Sequence, residues 1–417
     1  MLVRSRRQPS CAQRRRYLPI AALWCGLLAA CSSAPSNSAQ PQPPNVQPTT
    51  TATPLRPGPT PTSPVTRVQA SSSPQPSAQP SDSPAARPAS PAPSPRALAP
   101  IQPLRNAEIV DRPLRHLRPL TDGSVKYKLA LWSPAGEWIA ATPQDGPGLD
   151  AINSATGAVI RVLSDTYVLE PVWDAAAQPC LLLHRTVGAQ DQLSRVCLPQ
   201  TDAAQPSMTG DAPLMAPALA GDDLVYSQGD RLLRQPLSTP DAAPQQIAQG
   251  GALVTALWAA GEAGPLLAWT PLVTDLETVQ TLVTPLDRPA PYALSQPGEG
   301  LWLPRWSPDG RALALTSIAG RLVSTTISGD QRYDLGPGDL PAWSPDGARI
   351  AYGGANAGEE FISRDIHLVD WQGAGPRLRL TDANEIQLFV SPSWSPDGRR
   401  IACVEIDSGQ IMIGEVP

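Results

Sequence analysis

The stretch SPSWSPDGRRIA at 391–402 alternates apolar and polar positions on either side of a short polar turn, which predicts a strand, a tight turn and a second strand. Nearly the same line recurs as LPAWSPDGARIA at 340–351 and LPRWSPDGRALA at 303–314. The turn has a mechanism. Proline presets φ for a type I turn, aspartate suits the next position, and glycine takes the left-handed position that closes the hairpin. One such hairpin cannot bury its tryptophan alone, so neighbouring copies must do it.

Looser copies fill the rest of the chain. ALWSPAGEWIAA at 130–141 is plain, PVWDAAAQPCLLL at 171–183 keeps the tryptophan and the strand, and TALWAAGEAGPLLAW at 255–269 is more degenerate. PALAGDDLVYS at 217–227 has leucine at the anchor position. The anchors are Trp132, Trp173, Leu219, Trp258, Trp306, Trp343 and Trp394, at intervals of 41, 46, 39, 48, 37 and 51 residues. A four-stranded propeller blade repeats every ~40–45 residues. The expected fold is therefore all-β, a seven-bladed β-propeller of four-stranded blades.

Both ends support ring closure. After Trp394 only two strand-like runs follow, RRIACVEI and QIMIGEV, so the last blade lacks its outer strand. HLRPLTD at 116–122 matches the RLRLTD that precedes the last anchor. It is expected to complete blade seven from the front of the chain, leaving no open edge there.

Composition divides the chain. Residues 32–105 are almost wholly Pro, Ser, Ala, Thr and Gln, too poor in apolar surface to offset ordering entropy, and read as a disordered, partly polyproline II tether. Ahead of it, RSRRQPSCAQRRR and YLPIAALWCGLLAA form a basic and then a short apolar region of signal-peptide length. The expected organisation is a signal peptide over 1–30, a lipidated cysteine and tether over 31–105, and the propeller over 106–417. Of 32 basic and 37 acidic residues, six Arg fall in 1–30, and five Arg with one Asp in 31–105. That leaves 21 basic and 36 acidic, −15, on the folded part. Such an acidic domain argues against nucleic acid as a partner.

Leu28-Ala29-Ala30-Cys31 resembles the lipobox of bacterial lipoproteins, which implies cleavage before Cys31 and a lipid on its thiol. The repeated W-S-P-D-G hairpins, with trailing Leu380-Thr381, resemble the TolB-like (WD40-like) β-propeller repeat family over about 115–417. The resemblance implies the fold. Its members serve as protein-binding platforms, as filters beside hydrolase domains and as isolated lipoprotein domains. The chain departs from TolB itself, because a lipobox and tether stand where an α/β domain is expected.

The histidines His116, His184 and His367 show no metal-ligand spacing, and no hydrolase elbow, zinc signature or P-loop occurs, so neither cofactor nor metal is expected. The aspartates Asp309, Asp346 and Asp397 read as turn residues. On the face opposite the W-S-P-D-G turns, the longest loop is GGANAGEEFISRD at 353–365. With the connection into blade seven it brings Glu359, Glu360, Asp382 and Glu385 forward as an acidic lip suited to a cationic peptide, a sugar or a divalent ion; solvated loop acids are the alternative. Cys180 and Cys197 fall opposite each other in a hairpin centred near Gly188, which places them for a disulfide. Two buried thiols are the alternative there, and Cys403 stays single.

The sequence thus predicts an extracytoplasmic lipoprotein, held in the membrane through lipid on Cys31. Its propeller is expected to bind an envelope protein or a cell-wall glycan or peptide without catalysis. A lyase, lactonase or hydrolase at the central mouth and a carbohydrate-binding platform are the rival readings.

Overall fold

The computed structural model describes residues 97–417 except 165–167, 169–170, 175–177, 188–189, 200–204, 211–213, 221, 241, 259–263, 274, 276–277, 289, 358–361 and 383–386. Residues 1–96, which hold the expected leader, Cys31 and most of the expected tether, lie outside the described residues.

Each W-S-P-D-G line forms the hairpin that its residues dictate. In the copy at 344–349, Ser344 N–H donates to the Arg349 carbonyl and Gly347 N–H to the Ser344 carbonyl, both at 2.8 Å. The Asp346 carboxylate accepts the Ala348 N–H at 3.0 Å and the Ser344 hydroxyl. Gly347 sits at φ +71°, a conformation that a side chain would strain. Ser395–Arg400 and Ser307–Ala312 repeat the pattern. Asp309, Asp346 and Asp397 are turn residues.

Seven sheets follow one another along the chain. Blade one pairs Tyr127–Trp132, Trp138–Pro143, Leu149–Asn153 and Val159–Leu163 in order from the axis outward. Blades two to six span 172–210, 214–249, 252–293, 301–337 and 339–379 in the same order. Blade seven has three strands from 389–415, and Arg115–Pro119 pairs antiparallel with Gln410–Glu415 as its outer strand. The propeller is closed by a strand from the front of the chain.

The hydrophobic core lies between blades rather than within one. Leu149 and Trp138 of blade one pack with Leu181 and Val196 of blade two, and Leu182 and Leu193 with Leu224 and Tyr226 of blade three. The same interleaving continues to Ala351 and Leu368 of blade six against Phe389 and Ile401 of blade seven. Both faces of a blade are thus buried, which is why strands such as Trp138–Pro143 are buried at every position. From blade seven back to blade one, the Ser393 hydroxyl accepts the Trp132 N–H at 2.8 Å and Arg400 stacks over the Trp132 ring at 5.0 Å.

The front of the chain does more than close blade seven. Ile109–Asp111 lies parallel to Arg377–Arg379 as a fifth strand on blade six. Before it, Gln102 bridges in parallel to Tyr333 on the outer strand of blade five, Arg332–Pro337. Residues 97–105, read from the sequence as tether, therefore lie against blade five. Leu98 and Ile101 pack into the core between blades four and five. The fully buried Arg332 donates to the Ala99 carbonyl at 3.1 Å and pairs with Glu299.

Candidate functional site

The two ends of the disc differ. At the W-S-P-D-G end neighbouring loops of one blade are tied together: Ile327 N–H donates to the Arg311 carbonyl at 3.0 Å in blade five, and Val416 N–H to the Arg399 carbonyl at 2.8 Å in blade seven. At the opposite end two hairpins have longer strands than the rest. Blade two pairs the eight-residue strands Cys180–Val187 and Gln190–Cys197, and blade six pairs the nine-residue strands Arg349–Ala357 and Ile362–Asp370, where the same strands of the other blades have four to six. Three extra residues lengthen a strand by about 10 Å.

The blade-six hairpin is held at its base by charge. Asp339 opens the inner strand, beside the mouth of the ring, and pairs with the guanidinium of Arg364. Arg364 also donates to the Gly353 carbonyl at 3.2 Å, and its backbone bridges to Leu388 in the connection entering blade seven. Both side chains of the pair are 15% exposed. Burial lowers the Arg364 pKa to about 10, so the guanidinium remains charged at neutral pH. A buried pair of this kind costs desolvation, and its contribution is to fix position.

Behind the pair, Tyr352 and His367 face each other across the same hairpin and stack with ring centroids 5.6 Å apart. Their fit needs Gly338 and Gly354: a Cβ at Gly338 would lie 2.3 Å from the Tyr352 ring, and one at Gly354 2.5 Å from the His367 ring. His367 is buried, its Nδ1 has no hydrogen-bond partner, and burial pulls its pKa down to about 4 although Asp365 opposes the shift. It is neutral at pH 7. The buried Asp365 accepts the Thr381 hydroxyl at 2.7 Å. His184 lies in its strand 3.4 Å from Asp191, and His116 is on the closing strand, 3.3 Å from Glu415.

Of the acidic lip, Asp382 is exposed just past the outer strand of blade six, while Glu359, Glu360 and Glu385 lie outside the described residues. The Arg364–Leu388 bridge places the base of the hairpin beside the connection that carries Asp382 and Glu385. Cys180 and Cys197 pair directly across the blade-two hairpin and are joined as a disulfide, with Cα atoms 3.9 Å apart. Cys403 is a free, buried thiol whose pKa burial pushes up to about 12. No group of three or more His, Cys, Asp or Glu that could hold a metal ion occurs among the described residues. Sequence reasoning missed Asp339 and Arg364. The available signal was a charged residue four positions before Trp343, where the neighbouring blades have Trp302 and Val390.

No protein-family model and no curated protein matches the sequence. Among solved structures the chain is similar to an oligogalacturonate lyase from Vibrio parahaemolyticus, with TM-score 0.55 and 13% identity over 72% of this chain and 93% of that one. It is similar to the β-propeller domain of Cps50 (Swd1) from Myceliophteria thermophila, with TM-score 0.52 and 12% identity over 70% of this chain and 97% of that one. TolB from Acinetobacter baumannii matches with TM-score 0.43 and 15% identity, over 71% and 66% of the two chains. At such identities the likeness to the first two establishes the propeller fold and nothing more.

Proposed function

We propose that the protein is a lipid-anchored module of the cell envelope whose propeller binds, without catalysis, a basic segment of an envelope protein or cell-wall peptide. The binding end is the one opposite the W-S-P-D-G turns. The observation that carries this reading is the blade-six hairpin, nine residues a side, braced at its base by Asp339 and Arg364. A braced hairpin holds its strands in place for a partner at little ordering cost. In sequence that tip is Gly358-Glu359-Glu360-Phe361, and Asp382 and Glu385 lie in the adjoining connection. Their charge and the −15 of the folded part suit a cationic partner.

A disulfide between Cys180 and Cys197 supports an oxidising, extracytoplasmic compartment, as does the lipobox before Cys31. The carboxylates behind the hairpin have partners, Asp339 the Arg364 guanidinium and Asp365 the Thr381 hydroxyl, which favours a bracing role over acid–base chemistry. The likeness to a lyase is one of fold.

The test is capture from envelope extracts with the wild-type chain and with Glu359→Lys/Glu360→Lys/Asp382→Lys. A partner lost on charge reversal, and lost again in high salt, is the expected result. Cleavage of any member of a glycan panel, oligogalacturonides included, would replace the binding reading with a catalytic one. For the anchor, Cys31→Ser should release the folded protein from the membrane. Retention of that variant, with no acyl chain on the wild type by mass spectrometry, would overturn it.

A further inference from the structure

The segment 97–119 meets three blades in succession, and all three contacts run the same way. Ala99 N–H donates to the carbonyl of Gly329, in the turn before the outer strand of blade five, at 2.9 Å. That turn is tied to the W-S-P-D-G end through Ile327 and Arg311. From there Gln102 runs parallel to the outer strand, with Gln102 N–H to the Arg332 carbonyl at 2.8 Å and Asp334 N–H to the Gln102 carbonyl at 2.9 Å. Ile109–Asp111 runs parallel to the outer strand of blade six, fastened by Arg379 to Asp111 at 2.7 Å. Arg115–Pro119 is antiparallel to Gln410–Glu415, so it too leads away from the W-S-P-D-G end.

Residue 97 therefore enters the disc at the rim of the W-S-P-D-G end, and each contact continues toward the other end. A pull on the chain ahead of residue 97, directed away from the proposed binding end, acts along the strand axes. The hydrogen bonds of each contact are then loaded together in shear rather than opened one by one. Shear geometry makes a short ladder hard to break, because several bonds must fail at once. The three contacts are unequal. The first is a single bridge with three apolar side chains beneath it, Leu98, Ile101 and Leu104, and the second is three residues long. The third is the closing strand, flanked by the buried Leu114 and Leu120, with a Cβ at Gly414 coming within 2.7 Å of Leu114.

We propose that residues 97–119 are a tension strap. The blade-five and blade-six contacts yield in turn under pull, while the closing strand holds and the ring stays shut. The strap would let an anchored propeller give length without unfolding when its partner and its anchor are drawn apart. It depends on the lipid-anchor reading only for the source of the pull, and the test does not use the anchor.

The experiment is single-molecule pulling on the chain from residue 31 on, carrying Cys31→Ser. One handle is at the N-terminus and the other on Ile318→Cys, an exposed position on the far end of blade five. Once the tether is taut, early events should release up to roughly 55 Å in all, the length of residues 97–112 drawn straight, well before the disc unfolds. Leu98→Asp/Ile101→Asp should lower the first rupture force and leave the later ones unchanged. Ile101→Ala serves as the milder variant if the double change folds poorly. Unfolding of the disc in one step with no early release would overturn the proposal. So would an early release exceeding the strap length, or rupture forces indifferent to both variants.

Discussion

The indole Nε1 of Trp394 donates to the backbone carbonyl of Ala342, 3.1 Å away in the inner strand of the blade before it. The same bond joins Trp343 to Arg305 at 3.0 Å, Trp306 to Ala256 at 2.8 Å and Trp173 to Leu131 at 3.0 Å. An anchor tryptophan thus fills the space between two blades and ties one inner strand to the next. Trp132 instead bonds the Gly136 carbonyl of its own turn, and serine hydroxyls with Arg400 make that junction.

Trp394→Phe keeps most of the ring and removes the N–H, leaving the Ala342 carbonyl without its donor. The expected cost is about 1–2 kcal/mol, against about 3–5 kcal/mol for Trp394→Ala, which also opens a cavity. Trp132→Phe should weaken its own turn and leave the coupling between blades intact. Double-mutant cycles in urea pairing Trp132→Ala and Trp343→Ala each with Arg400→Ala would measure the junction. Coupling to Arg400 is expected for the ring of Trp132 and not for that of Trp343.

The Cys180–Cys197 bond joins directly opposed residues in two strands of blade two. In the chain-entropy model, closing a loop of that span contributes about 3 kcal/mol. Cys180→Ser/Cys197→Ser should therefore lower the melting temperature by several degrees and leave the secondary structure unchanged. Non-reducing peptide mapping of oxidised protein should return the linked pair with Cys403 free.

Turn chemistry, anchor spacing and the register of the blade-two hairpin were all legible in the sequence, since each is local or repeated. The closing strand was legible too, because Arg115–Pro119 carries the same pattern as the outer strand of blade six. Ile109–Asp111 was not. Three residues between a polar stretch and Pro113 carry no periodic signal, and an edge pairing of that length is set by the exposed strand it meets. The Asp339–Arg364 pair was hidden for another reason. It joins residues on strands that are not neighbours, across Gly353, and only the side-chain-free glycine lets the guanidinium lie there: a Cβ would come within 2.8 Å of it.

Deleting 106–122 removes the closing strand and the fifth strand of blade six together. It should lower the melting temperature by ten degrees or more, in line with the loss of several kcal/mol, and promote association through the bared edge of Gln410–Glu415. Deleting 40–90 should change neither melting temperature nor oligomeric state. Differential scanning calorimetry and light scattering on the two variants read both outcomes, and equal melting temperatures would contradict closure from the front.

Acid should loosen blade six before the carboxylates titrate, because of His367. Burial holds its folded-state pKa near 4, while an unfolded histidine titrates near 6.5. Asp365 and Asp111 act to raise it, and Arg377 and Arg379 act with burial to lower it. Between those two values the unfolded chain binds a proton that the folded chain refuses. Stability is therefore complete above pH 6.5 and falls as the pH drops toward 4. From pH 6.5 to 5 the loss approaches about 2 kcal/mol at the linkage slope of one proton. His367→Phe keeps the stack on Tyr352 and abolishes that proton uptake, so its urea midpoint should be flatter across this range than that of the wild type. Parallel pH profiles for the two proteins would show that His367 does not carry the acid sensitivity of the blade.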